Sequence, residues 1–190
     1  ATTSARTFGF AIHNLLRLRR NLTPLFFSTF LPVFFYLLFG TMMDFGNASF
    51  KGGNFTALEM ISMALYGGVA GSVSAAGSAV TDTKTGWARQ LALTPLQPRQ
   101  ILWANLISIG FQALLPITAV FITGAMTQAA MQPHQWVLAI IACVLVSIPF
   151  GFYGLVWAMA LPTDNSVAIA STSVVLFLFA ANVFLSLIHI

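Results

Sequence analysis

Five stretches of this chain carry almost no charge, and each is long enough to cross a bilayer. They are residues 23–43, 57–80, 101–125, 136–160 and 167 onward. A membrane-spanning helix needs roughly 20 mainly apolar residues, and Glu59 is the one Asp, Glu, Lys or Arg inside any of these stretches. The apolar runs are continuous and do not alternate with period two, which selects helices over a barrel. A helix also satisfies its own backbone polar groups where no water is available. Charged residues make up 6% of the chain, against about 25% in a soluble domain. So few charges cannot solvate a water-facing surface of this size. The expected fold is therefore all-α, a polytopic transmembrane helical bundle.

The order of the basic residues sets an orientation. Arg6, Arg17, Arg19 and Arg20 precede the first stretch, and Lys84, Arg89 and Arg99 lie in the loop 81–100. The loop 44–56 carries only Lys51, and 127–135 has no Lys or Arg. Lys and Arg collect on the cytoplasmic side. The N-terminus and the loop 81–100 are thus expected inside, and the loops 44–56 and 127–135 outside. A net charge of +4, scattered in this way, gives no nucleic-acid surface. A single cysteine, Cys143, lies in an apolar run and excludes an intrachain disulfide. No secretory signal peptide is expected, because the first apolar stretch is too long and lacks a small-residue cleavage site.

The stretches differ in character. The first is rich in Phe, from Phe26 to Phe39, and is expected to face lipid. The second reads GGVAGSVSAAGSAV over residues 67–80. It holds few of the Leu, Ile, Phe and Val residues that favour insertion, so it is expected to depend on its neighbours. Gly67, Gly71, Ala75 and Ala79 recur every four residues, and such a stripe lets backbones approach closely. It serves either packing within this subunit or contact with a second subunit or a transport pathway. Pro32, Pro116 and Pro149 fall inside stretches and are expected to kink them. Asn105, Gln112 and Asn182 are polar positions expected to hydrogen-bond between helices. The sequons at Asn47 and Asn54 are read as chance matches.

Two cytoplasmic segments carry the functional expectations. Over residues 6–20, Phe8, Ala11, Ile12, Leu15 and Leu16 recur at helical spacing, while Arg6, His13, Arg17 and Arg20 fall mainly elsewhere. This is a basic amphipathic helix expected to lie along the inner leaflet. The loop 81–100 reads TDTKTGWARQLALTPLQPRQ. A plain connection would be much shorter. A short helix is expected here, with Trp87 and Leu91 on one side and Arg89 and Gln90 turned elsewhere. Thr94-Pro95 and Gln97-Pro98 would end it and turn the chain back.

This loop resembles the first cytoplasmic loop of the ABC transporter type-2 permeases. That family shows an acidic-basic pair, a glycine, a leucine and then Thr/Ser-Pro, and Asp82, Gly86, Arg89, Leu91, Thr94 and Pro95 stand at the matching positions. GWARQLALTPL is similar to drug-exporter-like permeases of Gram-positive bacteria. Thr83 departs from the pattern where Arg or Lys is usual, with Lys84 one residue later. The resemblance implies an ABC type-2 fold, with five spans here of an expected six. It implies that the loop is a coupling helix docked on an ATPase subunit, with Gly86, Trp87, Arg89, Gln90 and Leu91 making the contact. It also implies a membrane-surface helix holding Arg6, Phe8, Ile12, Leu15, Arg17 and Arg20 beside that loop.

No G-x-x-x-x-G-K-[ST] phosphate loop occurs, so the chain is not expected to be an enzyme. ATP and Mg would belong to the partner ATPase. No His or Cys spacing suggests a metal, and no catalytic constellation is visible. The expected function is the permease subunit of an ATP-driven exporter in the bacterial cytoplasmic membrane. It would move an amphipathic drug, antibiotic, lipid or lipid-linked glycan outward, with a second permease subunit as partner. An ATP-independent carrier, or a membrane scaffold or sensor, is the alternative. The last six residues, LSLIHI, translate the transposase adapter CTGTCTCTTATACACATC in one frame. Residues 1–184 are expected to form the transmembrane domain and residues 185–190 to be non-native read-through.

Overall fold

The structure is a computed structural model that describes residues 22–41, 49–50, 52–84, 86, 98–161 and 165–180. Among them, α1 (Leu22–Phe35) runs into a π-helical turn (Tyr36–Thr41). A small antiparallel hairpin follows, β1 (Ser49–Phe50) with β2 (Gly53–Asn54), in the register Ser49↔Asn54 and Phe50↔Gly53. Then come α2 (Phe55–Lys84), α3 (Pro98–Met126), α4 (Pro133–Ala160) and α5 (Asn165–Ala180).

The helical bundle agrees with the expected architecture, with corrections in the loops. The loop 44–56 contains the hairpin, where only a connection was expected. Gly52 holds the reversal at φ +116, open to glycine because it lacks Cβ. The loop expected at 81–100 is shorter, since α2 runs on through Lys84 and α3 begins at Pro98. Residues 81–84 hold no Gly or Pro to stop the helix, whereas Gly86 at φ +73 has the left-handed backbone typical just beyond a helix end. Pro98 opens α3 rather than ending a turn, because the first helical residue has no use for an amide hydrogen.

α2 is the centre of the bundle and packs against all four other helices. This explains its low hydrophobicity. A helix enclosed by protein needs small side chains for close approach, not large apolar ones for lipid. The surrounding helices show the reverse pattern. On α4 the buried residues are Cys143, Ser147, Gly151, Gly154 and Ala158, all small. The residues facing away, including Leu138, Leu145, Val156 and Met159, are large, apolar and exposed. On α1, Phe26, Phe30 and Phe34 stack along the outside with ring centroids 5.1 and 6.1 Å apart. Small residues inside and large apolar residues outside is the arrangement a bilayer solvates. α3 (over Asn105–Met126) and α4 are long and apolar enough to cross a membrane, and Phe26–Gly40 and Asn165–Leu178 are shorter apolar helices.

Two apolar clusters hold the bundle. One, near the hairpin, joins Tyr36, Met60, Met63, Ile117, Phe121 and Cys143. The other joins Val69 and Val73 of α2 to Ala170, Val174 and Leu178 of α5. Tyr153 of α4 adds a hydrogen bond to Ser173 of α5 between hydroxyls 2.8 Å apart.

Candidate functional site

The small-residue stripe lies at the middle of the bundle. Gly67 faces two prolines at once. A Cβ there would stand 2.9 Å from Pro116 Cβ and 3.0 Å from Pro32 Cγ. Gly71, one turn on, faces backbone. Its Cβ would lie 2.4 Å from the carbonyl oxygen of Gln112. That carbonyl is special for a sequence reason. In a regular helix Gln112 C=O would accept from residue 116, but Pro116 has no amide hydrogen to give. The oxygen released by the proline meets the α-carbon hydrogen that only glycine can present here, a weak C–H···O geometry common between packed helices. Gly68, on the next face, meets Ser147 Oγ and Ile117 of the flanking helices. Ala75 is buried further along α2. Ala79 lies within α2 by its backbone. The contacts that Gly67 and Gly71 make are thus with α1 and α3 of the same chain.

A second polar constellation lies at the hairpin end. Asn54 is the residue before α2, and its Oδ1 accepts from the amide of Ala57 at 3.0 Å, closing the helix start as an N-cap. The same oxygen accepts from the amide of Ala130 at 2.9 Å, in the connection between α3 and α4. Asn54 Nδ2 donates to the carbonyl of Gln128. Its own amide donates to the carbonyl of Ala130 at 3.2 Å. Gly53 forms an antiparallel bridge with Met131. The hydroxyls of Tyr36 and Thr127 hydrogen-bond to each other, and Thr56 Oγ1 donates to the carbonyl of Gly40 at 3.0 Å. At the start of α4, Gln135 Oε1 accepts from the amide of Gln132 at 3.0 Å. This network is not among the features expected from the sequence. A signal for it existed in Asn54 directly before the apolar run, an N-cap pattern. What the cap also reaches across 76 residues, Ala130, was not legible. Asn54 is buried, which leaves its sequon amide occupied by Gln128.

Glu59 is the fifth residue of α2 and only 3% exposed. The sequence placed it near a span end, and it is there, but enclosed by protein. Among the described residues no hydrogen-bond donor to its carboxyl is found, and no His/Cys/Asp/Glu group suited to a metal occurs. Gln112 is buried and Asn105 is half-buried on α3, whereas Asn182 lies outside the described residues.

Of the coupling residues, Asp82 falls in the last turn of α2, and Gly86 forms a turn just beyond it. Trp87, Arg89, Gln90, Leu91, Thr94 and Pro95 lie outside the described residues. So do Arg6, Phe8, Ile12, Leu15, Arg17 and Arg20 of the expected surface helix, and residues 185–190. The two helices that flank residues 85–97 are α2 and α3, and both run through the glycine–proline contact.

No protein-family model matches the chain, and no solved structure does. One similar protein is "Putative transport permease YvfS" of Bacillus subtilis (strain 168), 25% identical over 142 residues. The match covers 74% of this chain and 57% of that protein, so the chain spans little more than half the length of the relative it resembles.

Proposed function

We propose that the chain is the permease subunit of an ATP-driven exporter of the ABC type-2 kind. The observation that carries this reading is the segment GWARQLALTPL between α2 and α3. The likeness to a protein named as a transport permease supports it. The bundle supplies a mechanical reason for the position of that segment. α2 touches every other helix, so a push on the chain just beyond Lys84 reaches all of them through one central rod. A separate subunit would bind ATP and Mg and grip the segment through Trp87 and Leu91. A second permease subunit would complete the pathway, and the exported molecule would be amphipathic. In this reading α1 through α5 are five spans of a cytoplasmic-membrane protein. The N-terminus and residues 85–97 lie inside, and the hairpin end lies outside.

Trp87→Asp tests the grip. An aspartate in an apolar contact is desolvated without a partner. Recovery of the ATPase subunit with the affinity-tagged permease is expected to fall at least fivefold, while the thermal unfolding of the permease is unchanged. Undiminished recovery would remove the coupling role from this segment.

One observation favours a second reading. A buried acid inside a helical membrane bundle often marks an ion or proton path, and Glu59 is such a residue. Ethidium accumulation in inverted vesicles separates the two. Uptake driven by ATP supports the exporter. Uptake driven by an imposed proton gradient without ATP, and lost in Glu59→Gln, supports the carrier.

A further inference from the structure

Several hydrogen bonds at the hairpin end join chain segments that are distant in sequence. Asn54 holds the β2–α2 junction to the α3–α4 connection through Ala130 and Gln128. Tyr36 ties the end of the first helix to Thr127. Thr56 ties the start of α2 to Gly40. The Asn54 side chain serves three backbone groups at once. Its Oδ1 uses both acceptor positions, on Ala57 and Ala130, and its amide group donates to Gln128. Directly beneath lies the apolar cluster of Tyr36, Met60, Phe121 and Cys143.

We propose that the hairpin and the α3–α4 connection together form a lid over the core of the first four helices, and that Asn54 is its latch. With the latch made, solutes do not enter the core from this end. With it broken, the connection at Gln128 to Met131 keeps the single-pair bridge between Gly53 and Met131, the backbone bond from the Asn54 amide to the Ala130 carbonyl and the Tyr36–Thr127 hydroxyl pair, and it lifts off the hairpin when these few contacts open. This inference does not rest on the exporter reading, on an ATPase partner or on the orientation of the chain.

The protein carries its own reporter. Cys143 is the sole cysteine, 3% exposed, and about 15 Å below the start of α4 at 1.5 Å per residue. The full chain in nanodiscs, where both faces are accessible, is treated with methyl methanethiosulfonate, and labelling of Cys143 is followed by mass. Labelling is expected to be slow in the native chain and at least tenfold faster in Asn54→Ala. Tyr153→Phe breaks the hydroxyl contact with Ser173 of α5, away from the lid, and is expected to label at the native rate. Hydrogen exchange on the same samples reads the latch. The amides of Ala57 and Ala130 should open together in Asn54→Ala, while those of α2 around Val69 stay protected. Should Asn54→Ala fail to fold, Asn54→Ser is read in its place, since serine keeps a cap acceptor but cannot span to both Ala130 and Gln128. Cys143 labelling at the native rate while the Ala57 and Ala130 amides exchange freely would overturn the lid. So would equal acceleration in Tyr153→Phe.

Discussion

Gly71→Ala is expected to collapse the stability of the bundle, although it adds one methyl group. The added carbon would sit 2.4 Å from the Gln112 carbonyl oxygen, well inside van der Waals contact. The obstacle is backbone, so no side-chain rotation relieves it. α3 must move away from α2, and that opens the contact of Gly67 with Pro116 as well. Overpacking a well-filled core costs about 1–3 kcal/mol, and a rigid obstacle puts this substitution at the upper end or beyond. Gly110→Ala is the control. Nothing lies within 4 Å of its Cβ position, and removing a helical glycine gains up to about 1 kcal/mol. Thermal unfolding in detergent micelles should therefore move in opposite directions for the two variants. A Gly71→Ala protein as stable as the native chain would mean that the α2–α3 contact is looser than described.

Asn54→Ala is the second large effect. It removes an N-cap worth about 1 kcal/mol and leaves the Ala130 amide and the Gln128 carbonyl without this partner, each costing about 1–3 kcal/mol where water cannot replace it. Part of the connection is exposed, so water recovers some of that loss. A net destabilisation of about 2–3 kcal/mol is expected. Asn54→Asp separates the two contributions. A carboxylate keeps the acceptors for Ala57 and Ala130 but sets an oxygen against the Gln128 carbonyl, where a donor is required. It should fall between the native protein and Asn54→Ala in denaturation midpoint. Equal midpoints for all three would show that the junction is held by the hairpin alone.

The helices were legible because lipid-length apolar runs admit few alternatives. Their ends were less so. Residues 81–84 look like loop by polarity, yet they continue α2, because a helix stops at a backbone signal such as Gly86 and not at a change of hydropathy. The stripe from Gly67 to Ala79 was visible as a period of four. Its partners were not, because they depend on which carbonyl a proline elsewhere releases. Pro116 and Gly71 are linked only through Gln112, and that link needs the helices side by side. Asn54 shows the same limit. Its local role as a cap follows from position, but its reach to Ala130 is a tertiary fact. Glu59 reads as an end-of-span charge in sequence, and only the fold shows it enclosed.

The central claim is that a separate ATPase drives this bundle through residues 85–97. The most direct measurement is affinity purification of the full-length protein from its native membranes in mild detergent, with the bound subunits identified by mass spectrometry. The account predicts a stoichiometric subunit carrying a phosphate loop, released when Trp87 is replaced by aspartate. An intact, folded permease recovered with no ATP-binding subunit, under conditions that preserve its own oligomer, would contradict it.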